Sequence, residues 1–171
     1  MIERRILGID PGTASIGFAV IDQRGTTLTP IWYDCLRTSP REALPARLMQ
    51  IAAAVRDIIA QLAPVEAAME DLFFGANAQA ALSVGQARGV CSLVCAEAGL
   101  TVADYSPSVV KQAVTGYGRA DKAQVQRMVQ QILGMTDIPR PDHAADAFAV
   151  AIAHAGSLRI PASPVARRVR S

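Results

Sequence analysis

Ile6-Leu7-Gly8-Ile9-Asp10-Pro11-Gly12 is the stretch on which the fold turns. Four residues with no charge, entered from Arg5 and closed by a Pro-Gly turn, read as a buried strand that ends on a carboxylate. Downstream, 16–22 and 28–36 are rich in β-favouring residues and are separated by Gln23-Arg24-Gly25, so three strands open the domain. The first of them is predicted to be the central strand. In open α/β sheets the carboxyl ends of such strands are where ligands bind, which makes Asp10 a candidate functional group as well as a turn-former.

Further along, Leu44, Leu48, Ile51, Val55, Ile58 and Leu62 recur every three or four residues, predicting a helix over 42–62 that Pro64 ends. A short strand over 65–69 delivers Glu70, an Ala-rich helix follows over 77–98 with Gly99 as its stop, and 101–105 reads as a fifth strand. A short helix is expected over 107–114. Asp121 and Gln124 form a capping-box pattern before the stripe Val125, Met128, Val129, Ile132 and Leu133. Pro141 suits the first position of a last helix reaching about 155. Strands followed by alternating helices and strands describe an α/β layer with a five-stranded mixed sheet flanked by helices on both faces. One domain is expected over 1–156, followed by a flexible basic tail over 157–171 with two prolines and several arginines.

The 171 residues are 51% hydrophobic, enough for a real core and unlike a disordered or fibrous chain. A formal net charge of +2 means that any polyanion site must be local. The only lysines, Lys111 and Lys122, fall in one stretch together with Arg119. Cys35, Cys91 and Cys95 form no Cys-x-x-Cys pair and read as buried thiols, and zinc is disfavoured for want of further soft ligands. The start of the chain lacks a signal-peptide apolar region, and no run of about 18 apolar residues occurs, so a cytoplasmic location with no membrane association is expected.

Four polar residues stand out. Glu70 ends a short apolar strand as Asp10 does; it is either a sheet-edge surface acid or, if the strands are neighbours, a partner of Asp10. Within Asp142-His143-Ala144-Ala145-Asp146-Ala147-Phe148, His143 and Asp146 share a helix face at i and i+3. Asp142 and Asp146 form a competing pair, with Asp142 alternatively a helix-start cap. Polar groups interrupting an otherwise apolar segment need partners if buried. Three carboxylates and one imidazole suit Mg²⁺, with Mn²⁺ able to substitute, over Zn²⁺. Two ions roughly 4 Å apart in such a cluster would clamp a phosphodiester undergoing in-line hydrolysis. Lys111 and Lys122 are candidate phosphate contacts, Lys122 because a cation in a first helical turn opposes the dipole and gains from an anionic neighbour. Phe73 and Phe74 follow Glu70 in a loop where an aromatic can stack on an unpaired base. Gly85 and Gly89 in a helix point to close packing, against either the sheet or a second subunit.

With 85–90 (Gly-Gln-Ala-Arg-Gly-Val), 120–125 (Ala-Asp-Lys-Ala-Gln-Val), Met69-Glu70-Asp71-Leu72-Phe73-Phe74, the Lys111 region and His143-Ala144-Ala145-Asp146-Ala147 following the opening stretch in order, the chain resembles the RuvC family of Holliday-junction resolvases from about Ile6 to Ala155. The resemblance implies a ribonuclease H-like fold and a homodimer with the Gly85/Gly89 helix at its interface. It further implies Mg²⁺-dependent paired nicking of four-way junction DNA, and work alongside the RuvA and RuvB branch-migration proteins. It places Asp10, Glu70, His143 and Asp146 at the metal site, Lys111 and Lys122 among the catalytic residues, and Phe73 at the junction, with Arg119 a further candidate DNA contact. The chain departs from the family in reading His-Ala-Ala-Asp where many members read Asp-Ala-Ala-Asp. Two other readings compete: Asp10-x-Gly12 followed by Gly17 also resembles the phosphate loop of sugar-kinase and actin-like ATPases, and the histidine would suit a non-catalytic junction-binding module.

Overall fold

The computed structural model describes residues 4–71 and 78–157. Its elements run β1 (Arg4–Asp10), β2 (Ser15–Arg24), β3 (Thr27–Arg37), α1 (Leu44–Leu62), β4 (Glu66–Glu70), α2 (Ala78–Glu97), β5 (Thr101–Tyr105), α3 (Pro107–Thr115), α4 (Lys122–Ile132) and α5 (Asp142–Ser157). The sheet order is β3-β2-β1-β4-β5. β1 is therefore central, antiparallel to β2 on one side and parallel to β4 on the other, and β5 continues the parallel half. This is the five-stranded mixed α/β sheet predicted from the element pattern, in the ribonuclease H-like class that the resemblance implies.

Alternation along β1 divides the core into two layers. Leu7 and Ile9 face α1 and α2 with Phe18, Val20, Ile51, Val55, Ala87 and Cys91, while Ile6 faces α5 with Ala19, Ile21, Phe148 and Ala151. α3 and α4 extend the second layer through Val110, Val114, Val125 and Val129. Because both faces of β1 are covered, its residues Ile6 to Ile9 are all buried.

α5 lies directly on the sheet backbone. A Cβ at Gly8 would collide with the carbonyl of Ala147, and one at Gly17 with the carbonyl of His143. The helix answers with Ala144, Ala147 and Ala151, all fully buried. Small residues on both sides let helix and strand approach more closely than ordinary side-chain packing allows. At the sheet end away from Asp10, the helix is anchored by polar contacts. The buried His154 ring contacts Glu66 through Nε2 (2.9 Å) and the Tyr105 hydroxyl through Nδ1 (2.8 Å), and Arg4 bonds both Glu66 (2.9 Å) and the Ala155 carbonyl (3.0 Å).

Element types agree with the sequence reading throughout, and the boundaries move slightly. α1 begins at Leu44, two residues late, with Pro45 in its first turn. Pro141 precedes α5 instead of opening it, its carbonyl accepting from the Ala144 N–H at 2.9 Å. The Asp121–Gln124 capping box is present in full. Cys91 and Cys95 are buried, and burial pushes their thiols up to about 12 and about 11. Cys35 corrects the expectation of three buried thiols: on the edge strand β3 it is only half-buried, 3.0 Å from Ser15 Oγ. Phe73, Phe74 and the tail beyond Ser157 lie outside the described residues. Among the described residues no helix is long and apolar enough to cross a membrane.

Gly17→Ala is expected to cost about 1–3 kcal/mol, the usual range for overpacking a tight contact. Urea denaturation checks it, and an unchanged midpoint would mean that α5 does not rest on the β2 backbone.

Candidate metal centre

The parallel register Ile9↔Met69 sets Glu70 abreast of Asp10 at the carboxyl ends of neighbouring strands. α5 starts above the same ends, because its first turn is seated on Gly17, which itself pairs with Asp10 across β1 and β2. One ligand atom from each of Asp10, His143 and Asp146 comes within 4.8 Å of the others. Glu70 and Asp146 line a cleft of about 230 Å³ together with Lys111 and Lys122, over a floor of Val110, Val125 and Ala149.

His143 Nδ1 lies 2.7 Å from Asp10 Oδ2. An ionised carboxylate only accepts, so Nδ1 carries the proton, and Nε2 is the atom left for a metal or a second proton. Hydrogen bonding to Asp10 holds the imidazole above its ordinary value; burial opposes this, while the charges of Asp10 and Asp146 add to it. Glu70 is pushed up to about 7, first by burial and then by Asp10 and Asp146, with Lys111 and Lys122 pulling the other way. Asp146 is also raised, by burial and then by Asp10. Carboxylates crowded in this way hold protons that a divalent cation would replace.

Lys122 Nζ sits 3.1 Å from Asp146 and 3.6 Å from Asp142. Burial draws its ammonium down, yet the two aspartates outweigh that and keep it above its usual value. The anionic neighbour expected for a cation in a first helical turn is thus a carboxylate pair in this structure. Of the two candidate pairs on α5, His143 and Asp146 join Asp10 in the cluster, while Asp142 lies beside Lys122 and is paired with Arg140 at 2.5 Å. Arg119, by contrast, is exposed and is not among the residues lining the cleft. Gly8 and Gly17 were not singled out as site-building residues in the sequence. Their one signal is a glycine inside each of two β-rich segments, which marks a close backbone approach.

The donor set fits a hard divalent cation: carboxylate oxygens dominate, the carboxylates repel one another, and each is fixed on a strand end or helix turn. With a divalent cation held there, the arrangement could neutralise a phosphodiester and orient a water, and Lys111 and Lys122 add positive charge beside it.

A family model described as crossover junction endodeoxyribonuclease RuvC matches residues 6–154. Two curated relatives carry that same description. The one from Moorella thermoacetica is 53% identical over 150 residues, 88% of this chain and 90% of the relative. The one from Desulfitobacterium hafniense is 49% identical over 155 residues, 91% of this chain and 94% of the relative. A solved structure of RuvC from T. thermophilus in complex with a Holliday junction substrate superposes with a TM-score of 0.88 at 37% identity, covering 92% of this chain and 96% of that one. A match of this extent sets aside the kinase-like reading of Asp10-x-Gly12.

The raised carboxylates give the metal-free protein a defined pH dependence. Between the unfolded value near 4.5 and about 7, the folded chain holds a proton on Glu70 that the unfolded chain releases. The contribution of Glu70 to metal-free stability is therefore full below about 4.5 and is lost as pH rises through about 7. Asp146 and His143, both raised, act in the same direction. Denaturation in EDTA between pH 5 and pH 8 should show this decline, Glu70→Gln should flatten it, and a level wild-type profile would contradict the crowding.

Proposed function

Because this chain belongs to the RuvC family of crossover junction endodeoxyribonucleases, we propose that it resolves four-way DNA junctions by paired symmetric nicks, with Asp10, Glu70, His143 and Asp146 holding Mg²⁺. The observation that carries this reading is the convergence of three carboxylates and an imidazole at the ends of β1, β4 and α5, beside two lysines. We assign two ions to each site, with Mn²⁺ able to replace Mg²⁺. A divalent cation held by these residues would supply positive charge beside the phosphodiester and would make a neighbouring water more acidic.

The protein's own groups do the rest. Asp10, Glu70 and Asp146 are delivered by rigid elements, so little rearrangement accompanies the reaction. His143, held by Asp10, offers Nε2 as ligand or proton acceptor. Lys111 and Lys122 face the cleft, where they stabilise negative charge on the scissile phosphate and the leaving oxygen. The products are a 5′-phosphate and a 3′-hydroxyl. Phe73 stacks at the junction, and Arg119 contacts the flanking backbone.

α2 supplies the surface for a homodimer. Leu82, Gln86, Gly89 and Leu93, at i, i+4, i+7 and i+11, are all exposed on one side of the helix, and a Cβ at Gly89 would meet open space. The close neighbour implied by that glycine is thus not the sheet, and a second copy across a two-fold axis is the occupant we assign. Two sites so related match two strands of a junction of similar symmetry. We further place the protein in the cytoplasm, as a single domain over 1–156 with a basic tail over 157–171, acting with RuvA and RuvB.

Purified protein with Mg²⁺ should nick synthetic four-way junctions in symmetric pairs, and Asp10→Asn should bind the junction but reduce nicking by at least about 100-fold. Cleaving linear duplex at an equal rate would defeat junction selectivity. Cleavage with Mg²⁺ and with Mn²⁺, compared between wild type and His143→Asp, separates a ligand from a proton-transfer group. A ligand role predicts that the aspartate variant keeps activity and shifts metal preference; a proton-transfer role predicts loss with both ions.

A further inference from the structure

Among the described residues some arginines are ion-paired, while Arg24, Arg37, Arg41, Arg47, Arg119 and Arg127 make no ion pair. Arg4, Arg5, Arg56, Arg88 and Arg140 are ion-paired within the chain. Arg37 and Arg41, at the corner between β3 and α1, are exposed and make no ion pair among the described residues. The acids nearest in sequence are engaged elsewhere: Asp34 accepts from the Cys35 N–H and Glu42 from Gln50.

Strand register fixes where this corner stands. Asp10 pairs with Gly17, Gly17 with Cys35, and Ser15 with Arg37. Arg37 is thus two strands across from Asp10 and two residues further out, a separation of about 12 Å at usual sheet spacings. Tyr33 packs on Phe148 of α5 and Leu36 belongs to the opposite layer, so alternation puts Arg37 on the face that also carries Asp10. The corner is tied to the loop that follows Asp10. Thr38 is buried, its hydroxyl donates to the Thr13 carbonyl, its N–H donates to Ala14 O (3.1 Å), and Arg47 Nε donates to its Oγ1 (2.8 Å). Thr13 Oγ1 in turn reaches Ser83 of α2 at 3.2 Å. A charged corner braced in this way is held in a set position relative to the metal centre.

Resting on the nuclease reading above, we propose that Arg37 and Arg41 form a phosphate-binding clamp for the DNA strand that leaves the metal centre on the β3 side, opposite Lys111 and Lys122. A separation of about 12 Å corresponds to three or four nucleotides at about 3.4 Å of axis each. The clamp reads backbone charge and carries no sequence preference. Cations on both flanks would hold the cut strand at two points and keep the scissile phosphate from sliding across the carboxylates.

The test is equilibrium binding of the full chain to a four-way junction and to linear duplex in EDTA, across a salt series. Arg37→Gln/Arg41→Gln should reduce the slope of log K against log salt by about two per protomer, and Arg37→Lys/Arg41→Lys should restore it. Arg24→Gln, at the far end of the sheet, should leave the slope unchanged. An unaltered slope in the glutamine pair, with the wild type still preferring the junction, overturns the clamp and spares the nuclease reading. A reduced slope without any junction preference supports the clamp and overturns junction selectivity. No binding to either DNA overturns both.

Discussion

Everything at the site depends on α5 touching the backbone of β1 and β2 at two glycines. Gly8 and Gly17 admit the carbonyls of Ala147 and His143, and this contact fixes the first turn of α5 over the end of the central strand. Side chains of ordinary size at either glycine would hold the helix farther out. His143 would then lose its 2.7 Å contact with Asp10, and the polar cluster would open into separate solvated groups. Close packing of this kind buries Glu70 and Asp146 and brings them near Asp10, and burial first and that charge second raise both carboxyls above their ordinary values.

The helix is restrained at both ends, by different physics. Over Asp10 it is seated by shape, through absent side chains. Toward its other end it is held by directional polar bonds, with His154 between Glu66 and Tyr105, and Arg4 on both Glu66 and Ala155 O. Desolvation lowers His154 despite its carboxylate neighbour, so the ring behaves as a neutral two-ended connector. Strand slippage or helix rotation at that end would leave buried polar groups unsatisfied, a cost that keeps the opposite end in register.

Much of the architecture was legible because its signals are local. The apolar run before Asp10, the spacing from Leu44 to Leu62 and the capping box at Asp121 each report a nearest-neighbour preference, and all appear as read. Candidates for the centre were legible too, since Asp10 and Glu70 each end an apolar strand and α5 breaks its alanine pattern with polar groups. What stayed hidden was anything that depends on pairing between distant segments. Gly17 looks like any strand glycine until register sets it opposite Asp10 and under α5. That Lys122 joins Asp142 and Asp146 into one group follows from the approach of α4 to α5, which no local pattern encodes.

Histidine at 143 changes the balance of charge at the centre. With aspartate there, as in many family members, four carboxylates would surround the cleft; here there are three, plus an imidazole that can be neutral or positive. The Nδ1 bond to Asp10 occupies one carboxylate oxygen and favours the protonated ring, so the metal-free cluster is less repulsive than an all-acid one. That benefit works against cation binding. If His143 and Asp10 hold the proposed ion, it would compete with the proton for Nε2 and share Asp10 with a hydrogen-bond donor. Lys122, already drawn to Asp146, adds a second positive charge that the ion must displace or tolerate. On the proposed metal role, the centre would trade some affinity for the ion against stability of the metal-free site, and a phosphate entering the cleft would tip that balance back toward the ion.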